Sequence, residues 1–228
     1  MQTPTMKTPV AKCLDLSAYL IVILGRFPQN QTLAALAPKA QAAADDLDAA
    51  QSQYLAAIKA VLPARALVKF SNVMSDRRIS QTQKKADIAG PSVLSHVFPD
   101  GSATITRLQG QSQIDAMILL EGRLAALAAT WPESVAEKQA IAQHRDDYAG
   151  AVEARTNAGQ DAAALRAVRN VAKQAFLSVY EEMQGHVIAE FPRDTVMQEI
   201  FFDDVRTRST AAQAEDTEGE SEEPATPA

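Results

Sequence analysis

The chain is poor in the residues that most often carry chemistry. In 228 residues it has one cysteine, three histidines and one tryptophan. A single cysteine, Cys13, excludes an intramolecular disulfide and any zinc or iron–sulfur site built from several thiolates, and it fits a reducing, cytoplasmic setting. Glycine is sparse at 9 residues and alanine is abundant, which favours helix over an all-β fold. Phosphate-cradling loops of the G-x-G-x-x-G or G-K-[ST] type are absent, as is a G-x-S-x-G elbow.

No apolar run approaches the roughly 20 residues of a membrane span. The strongest, LSAYLIVIL at 16–24, follows Lys7 and Lys12 as the core of a signal peptide would. Asp15 adjoins it, however, and Gly25-Arg26-Phe27-Pro28 stands where a small-x-small cleavage site should be, so the run reads as a buried first helix.

The formal net charge of −6 is unevenly placed. Residues 1–110 carry 12 Lys/Arg against 7 Asp/Glu, residues 111–208 carry 10 against 15, and the last twenty carry six acids and no base. The body is therefore neutral but bipolar, which argues against a whole-molecule polyanion binder while leaving room for a local basic patch.

What is present is helical periodicity. In 161–190, Leu165, Val168, Ala172, Phe176, Val179, Met183 and Val187 fall within one stripe at 100° per residue, the signature of an amphipathic helix with a core face. Asp161 stands as its N-cap, after an Asn157-Ala158-Gly159 turn. Upstream, a first helix stops at Phe27-Pro28, because the residue before proline is pushed out of the α region. Pro38 suits the first turn of a helix over 38–61, and Pro63 marks a reversal. The next helix turns Leu67, Phe70, Val73 and Met74 inward, and Gly90-Pro91 ends it. Pro99-Asp100-Gly101 between β-branched residues predicts a hairpin in 92–109. Helix 111–129 ends at Trp131-Pro132, and Ser134 with Glu137 forms a capping box for helix 134–156.

The halves read as weak copies. Phe27-Pro28 answers Trp131-Pro132, Asp45-Asp46-Leu47 answers Asp146-Asp147-Tyr148, and Phe98-Pro99 answers Phe191-Pro192. The expected fold class is all-α: an antiparallel bundle of two similar three-helix units, 12–91 and 110–206, with the small β-hairpin between them. A mobile arm over 1–11 precedes it, and a disordered acidic tail over 207–228 follows.

Candidate sites are few. His96, His144 and His186 lack the Glu-x-x-His spacing of bundle metal centres, and no metal or cofactor is expected. The aspartate pairs at 45–46 and 146–147 could oppose one another only with a cation between them or a raised pKa. Arg65, Lys69, Arg77, Arg78, Lys84 and Lys85 form a basic stripe suited to a polyanion or an acidic partner, although no aromatic platform interleaves with it. Phe201 and Phe202 are adjacent, so a helix turns only one of them fully inward and leaves the other as a docking knob.

These features point to a non-enzymatic interaction or structural protein whose partner is another protein or a second copy of itself. A nucleic-acid-associated regulator using 64–87 under an autoinhibitory tail is the alternative, and a small-molecule-binding bundle ranks third.

Overall fold

The computed structural model describes residues 3–204. Among the described residues there are seven helices and no strand: α1 (Val10–Leu24), α2 (Gln31–Ala89), α3 (Pro91–Val97), α4 (Ala103–Thr106), α5 (Gln111–Ala126), α6 (Ser134–Glu190) and α7 (Thr195–Ile200). The fold is all-α. The segment 207–228, read as an acidic tail, lies outside the described residues.

Residues gather into two compact units that are nested in the chain rather than consecutive. Among the described residues, unit 1 holds 3–56 and 163–204, and unit 2 holds 57–162. Two successive three-helix units are therefore not what forms, because α2 and α6 each give one segment to either unit.

The reason lies at the expected breaks. Pro63 sits inside α2, and Gly159 and Asp161 sit inside α6. An interior proline removes one backbone hydrogen bond and leaves a carbonyl four residues earlier without its donor. Pro63 and Lys59 are both exposed, so water can serve that carbonyl. Gly159 keeps an ordinary helical φ, and nothing lies within 4 Å of where its Cβ would stand. Proline and glycine at exposed positions weaken a helix by an amount that tertiary packing on its other face can offset.

In unit 1, α1 buries Cys13, Leu16, Leu20 and Leu24 at a three-four-four spacing, so the apolar run at 16–24 is a core helix. It packs with Leu33, Leu36, Ala40, Ala44 and Leu47 of α2 and with Phe176, Leu177, Tyr180, Met183 and Val187 of α6. The two long-helix segments run antiparallel here: Lys39 binds Glu182 at 2.6 Å, and the Arg169 guanidinium covers the Tyr54 ring at 4.5 Å. Asn30 begins α2 as its N-cap, accepting from Leu33 N–H at 3.1 Å, and Asp194 does the same for α7 from Met197 N–H at 3.0 Å.

In unit 2, the core joins Ile79 and Ala86 of α2, Val97 and Phe98, Ile105 of α4, Met117, Leu120 and Leu124 of α5, Trp131, and Ile141 of α6. The β-hairpin expected over 92–109 is two short helices. Its turn is real, since Gly101 N–H donates to Phe98 carbonyl at 3.1 Å and Gly101 has φ +79°, but it links α3 to α4. An isolated ribbon would leave both edges of its ladder unpaired. Helical turns satisfy their own backbone and bring Val97 and Ile105 against this core, overriding the β-branched preference.

Candidate interaction surfaces

The long helices carry more apolar surface than their cores absorb. In α2, Leu62, Phe70 and Val73 share one face, at positions i, i+8 and i+11. Leu62 is 60% exposed and Phe70 64%, with Leu67 and Val73 exposed beside them. Leu67, Phe70 and Val73 thus point outward, not inward, because the inward face of this segment is taken by Ala64, Ser75, Ile79, Thr82 and Ala86. The same outward face continues into Arg77 and Lys84, both exposed, so an apolar stretch is followed by a cationic one.

In unit 1 the stripe on α6 divides. Phe176, Met183 and Val187 are buried, whereas Val168 is 50% exposed and Val171 69%. Val168 and Val171, with Ala42, Ala43, Ala167, Ala172 and Ala175, line an open groove of about 690 Å³ between the α2 and α6 segments. Alanines make the groove because small side chains let two helix backbones approach while leaving little bulk above them. The Lys39–Glu182 pair stands at its rim.

The basic stripe does not exist as one surface. Arg78 turns inward to Glu137, which is only 2% exposed, and Lys85, itself half-exposed, reaches the same carboxylate. That carboxylate accepts from Arg78 at 2.5 Å, Thr82 Oγ1 at 2.8 Å and Lys85 Nζ at 2.6 Å. Burial by itself would push this carboxyl up. The hydrogen bonds from Lys85 and Thr82 and the charge of Arg78 outweigh it and hold the group below the usual range. A carboxylate so saturated has neither a proton to give nor a free oxygen to take one, and it acts as a tie between α6 and α2. The capping box is consequently not made: Glu137 is spent on α2, and the buried Ser134 Oγ has no partner.

A second buried polar layer lies nearby. Glu121 pairs with Arg145 at 3.2 Å, and Gln113 donates to Asp76 at 2.8 Å. Burial raises both carboxyls above their ordinary values, opposed at Glu121 by Arg145 and at Asp76 by the Gln113 hydrogen bond.

Arg65 and Lys69 go elsewhere. With Arg155, Tyr148, Asn72 and Gln109 they line a hollow of about 430 Å³. Arg155 and Tyr148 gave no signal in the sequence, because their proximity to Arg65 and Lys69 depends on the antiparallel pairing of α6 with α2.

Phe201 is fully buried, stacked on Phe27 with centroids 5.1 Å apart, and Phe202 meets Tyr180 edge to face at 5.7 Å. Both rings are part of the packing of unit 1, and neither stands out as a docking knob.

Among the described residues no group of three or more His, Cys, Asp or Glu is placed to hold a metal ion. Asp45 and Asp46 belong to unit 1 and Asp146 and Asp147 to unit 2. Asp45 accepts from Gln41 one turn back and Asp147 from Gln143, as solvated helix faces do. No helix among the described residues is long and apolar enough to cross a membrane.

Comparison with family models, with curated proteins and with solved structures finds no match, so the functional reading rests on the chain's own geometry.

Proposed function

We propose that the protein is a non-enzymatic helical interaction protein that docks another protein, or a second copy of itself, on its long-helix faces. The observation that carries this reading is the outward face of α2. Leu62 and Phe70, each about three-fifths exposed, align with Val73 on a helix whose opposite side is already packed. Burying such a side chain against a partner is worth about 1.5–3 kcal/mol each, and a row at helical spacing is the form a partner helix recognises. The alanine-lined groove of unit 1 offers the same mode in concave form. A cytoplasmic, reducing setting suits the single thiol.

The nucleic-acid alternative has less behind it, because Arg78 and Lys85 are tied to Glu137 while Arg65 and Lys69 line a hollow with Arg155, so the basic residues of 64–87 do not form one track.

Light scattering on the full chain and on L62E/F70E tests the reading. The expected result is a concentration-dependent increase in mass that the double variant abolishes while helicity by circular dichroism is unchanged. Identical monomers at every concentration would remove self-association. A photo-crosslinking side chain at position 70 that captures no protein from lysate as well would remove the reading itself.

A further inference from the structure

The cationic hollow of unit 2 has a construction that the interaction reading does not use. Two of its walls are antiparallel helices: Arg65, Lys69 and Asn72 come from α2, and Tyr148 and Arg155 from α6. Gln109 closes the third side, in the turn that leads into α5. The lining includes Lys69 and Arg155 and no carboxylate. Such one-sided charge is unusual in a unit whose Lys/Arg and Asp/Glu otherwise nearly balance, at 12 against 11 over residues 57–162.

Two neutral features agree with the charge. Tyr148 is almost wholly buried, and its hydroxyl accepts from Gly110 N–H at 2.8 Å. Having used its oxygen as an acceptor, the hydroxyl keeps its own proton to donate into the hollow that the residue lines. Finally α5, a helix of 16 residues, begins at Gly110 with no side-chain cap, and its positive end favours a nearby anion.

The hollow shares Val68, Gln109, Tyr148 and Arg155 with a neighbouring one of about 470 Å³, where Val152 adds apolar wall. Space beside the cations is thus available for an uncharged portion of a ligand.

We infer that this hollow binds a small phosphate-bearing molecule, its phosphate held between Lys69 and Arg155 with Tyr148 as a donor. Arginine supplies a planar fork that matches phosphate oxygens, and lysine a point charge, the pairing that phosphate sites commonly use. A duplex backbone is the other source of phosphate. It needs a track of cations, whereas here they line a single hollow and the unit around them is close to neutral.

Calorimetric titration of the full chain with pyrophosphate, at fixed ionic strength, tests the assignment. Binding is expected, and K69Q/R155Q should weaken it about tenfold or more, the loss of charged hydrogen bonds to one anion. Both substituted residues are exposed, so the thermal midpoint of the variant without ligand should stay where it is. As a second arm, Tyr148→Phe keeps the ring and removes the donor, and it should weaken pyrophosphate without changing the response to chloride. Pyrophosphate binding that is unaffected by K69Q/R155Q, no binding at millimolar pyrophosphate, or binding of duplex DNA in preference to pyrophosphate would each overturn the proposal.

Discussion

Phe27 and Phe191 meet edge to face, their ring centroids 6.0 Å apart at 61°, and the Phe201 ring lies against both. Each of the first two precedes a proline that stops a helix. The stops of α1 and α6 are therefore joined to each other through their aromatic residues, and α7 closes the cluster with Phe201.

Removing the closing ring should be costly. Phe201→Ala is expected to lower stability by about 3–5 kcal/mol, the range for deleting a fully buried phenyl group. Phe202, only partly covered, should cost visibly less when truncated. Urea midpoints of the two variants check this, and equal, small losses would show that α7 is not held by its ring.

The tie between α6 and α2 predicts a pH signature. Glu137→Gln leaves Arg78 and Lys85 without their counter-charge and should cost about 3–5 kcal/mol at neutral pH, as breaking one side of a buried ion pair does. The Glu137 carboxyl is depressed in the folded protein, so its stabilisation is fully present above the ordinary glutamate value near pH ~4.3 and is lost as pH falls through the folded value. The gap between wild type and Glu137→Gln should accordingly narrow below about pH 4. Chemical denaturation over a pH series measures it, and a gap that stays constant would mean the charge of Glu137 contributes nothing.

Exposed glycines inside helices offer the opposite sign. Gly150 and Gly185 lie within α6, both exposed, with nothing within 4 Å of a built Cβ. Ala at either position should raise stability by about 0.5–1 kcal/mol, chiefly by restricting the unfolded chain. Thermal midpoints of the single and double variants test this, and the two effects should add because the sites share no partner.

The lone thiol should be inert. Cys13 is completely buried in unit 1, and burial pushes its pKa up to about 11, with Lys173 opposing. Thiolate is then scarce at pH 8, and a thiol reagent should label the native chain only as fast as unit 1 opens. Stopped labelling with and without denaturant reports it, and rapid native labelling would place Cys13 at the surface.

Local rules account for much of this fold. The stops at Phe27-Pro28 and Phe191-Pro192, the break at Gly90-Pro91, the buried helix over 16–24 and the all-helical class follow from backbone sterics and from periodicity, which operate within a few residues. Other features needed partners distant in the chain. Pro63, Gly159 and Asp161 read as breaks because their local preferences are real, yet packing of the long helices outweighs a cost of one to a few kcal/mol at each. Ser134 and Glu137 have the spacing of a capping box, but three donors on α2 bind the carboxylate more strongly than one backbone N–H can. The six basic residues lie on one helix, α2, but at 100° per residue they fall on three of its faces, and the antiparallel approach of α6 gives those faces different neighbours: Arg78 and Lys85 go to Glu137, Arg65 and Lys69 line the hollow with Arg155, and Arg77 and Lys84 face outward. The sequence by itself determined where the helices could not continue; the tertiary structure decided which charges were consumed, because a charge finds its counter-charge through space and not along the chain.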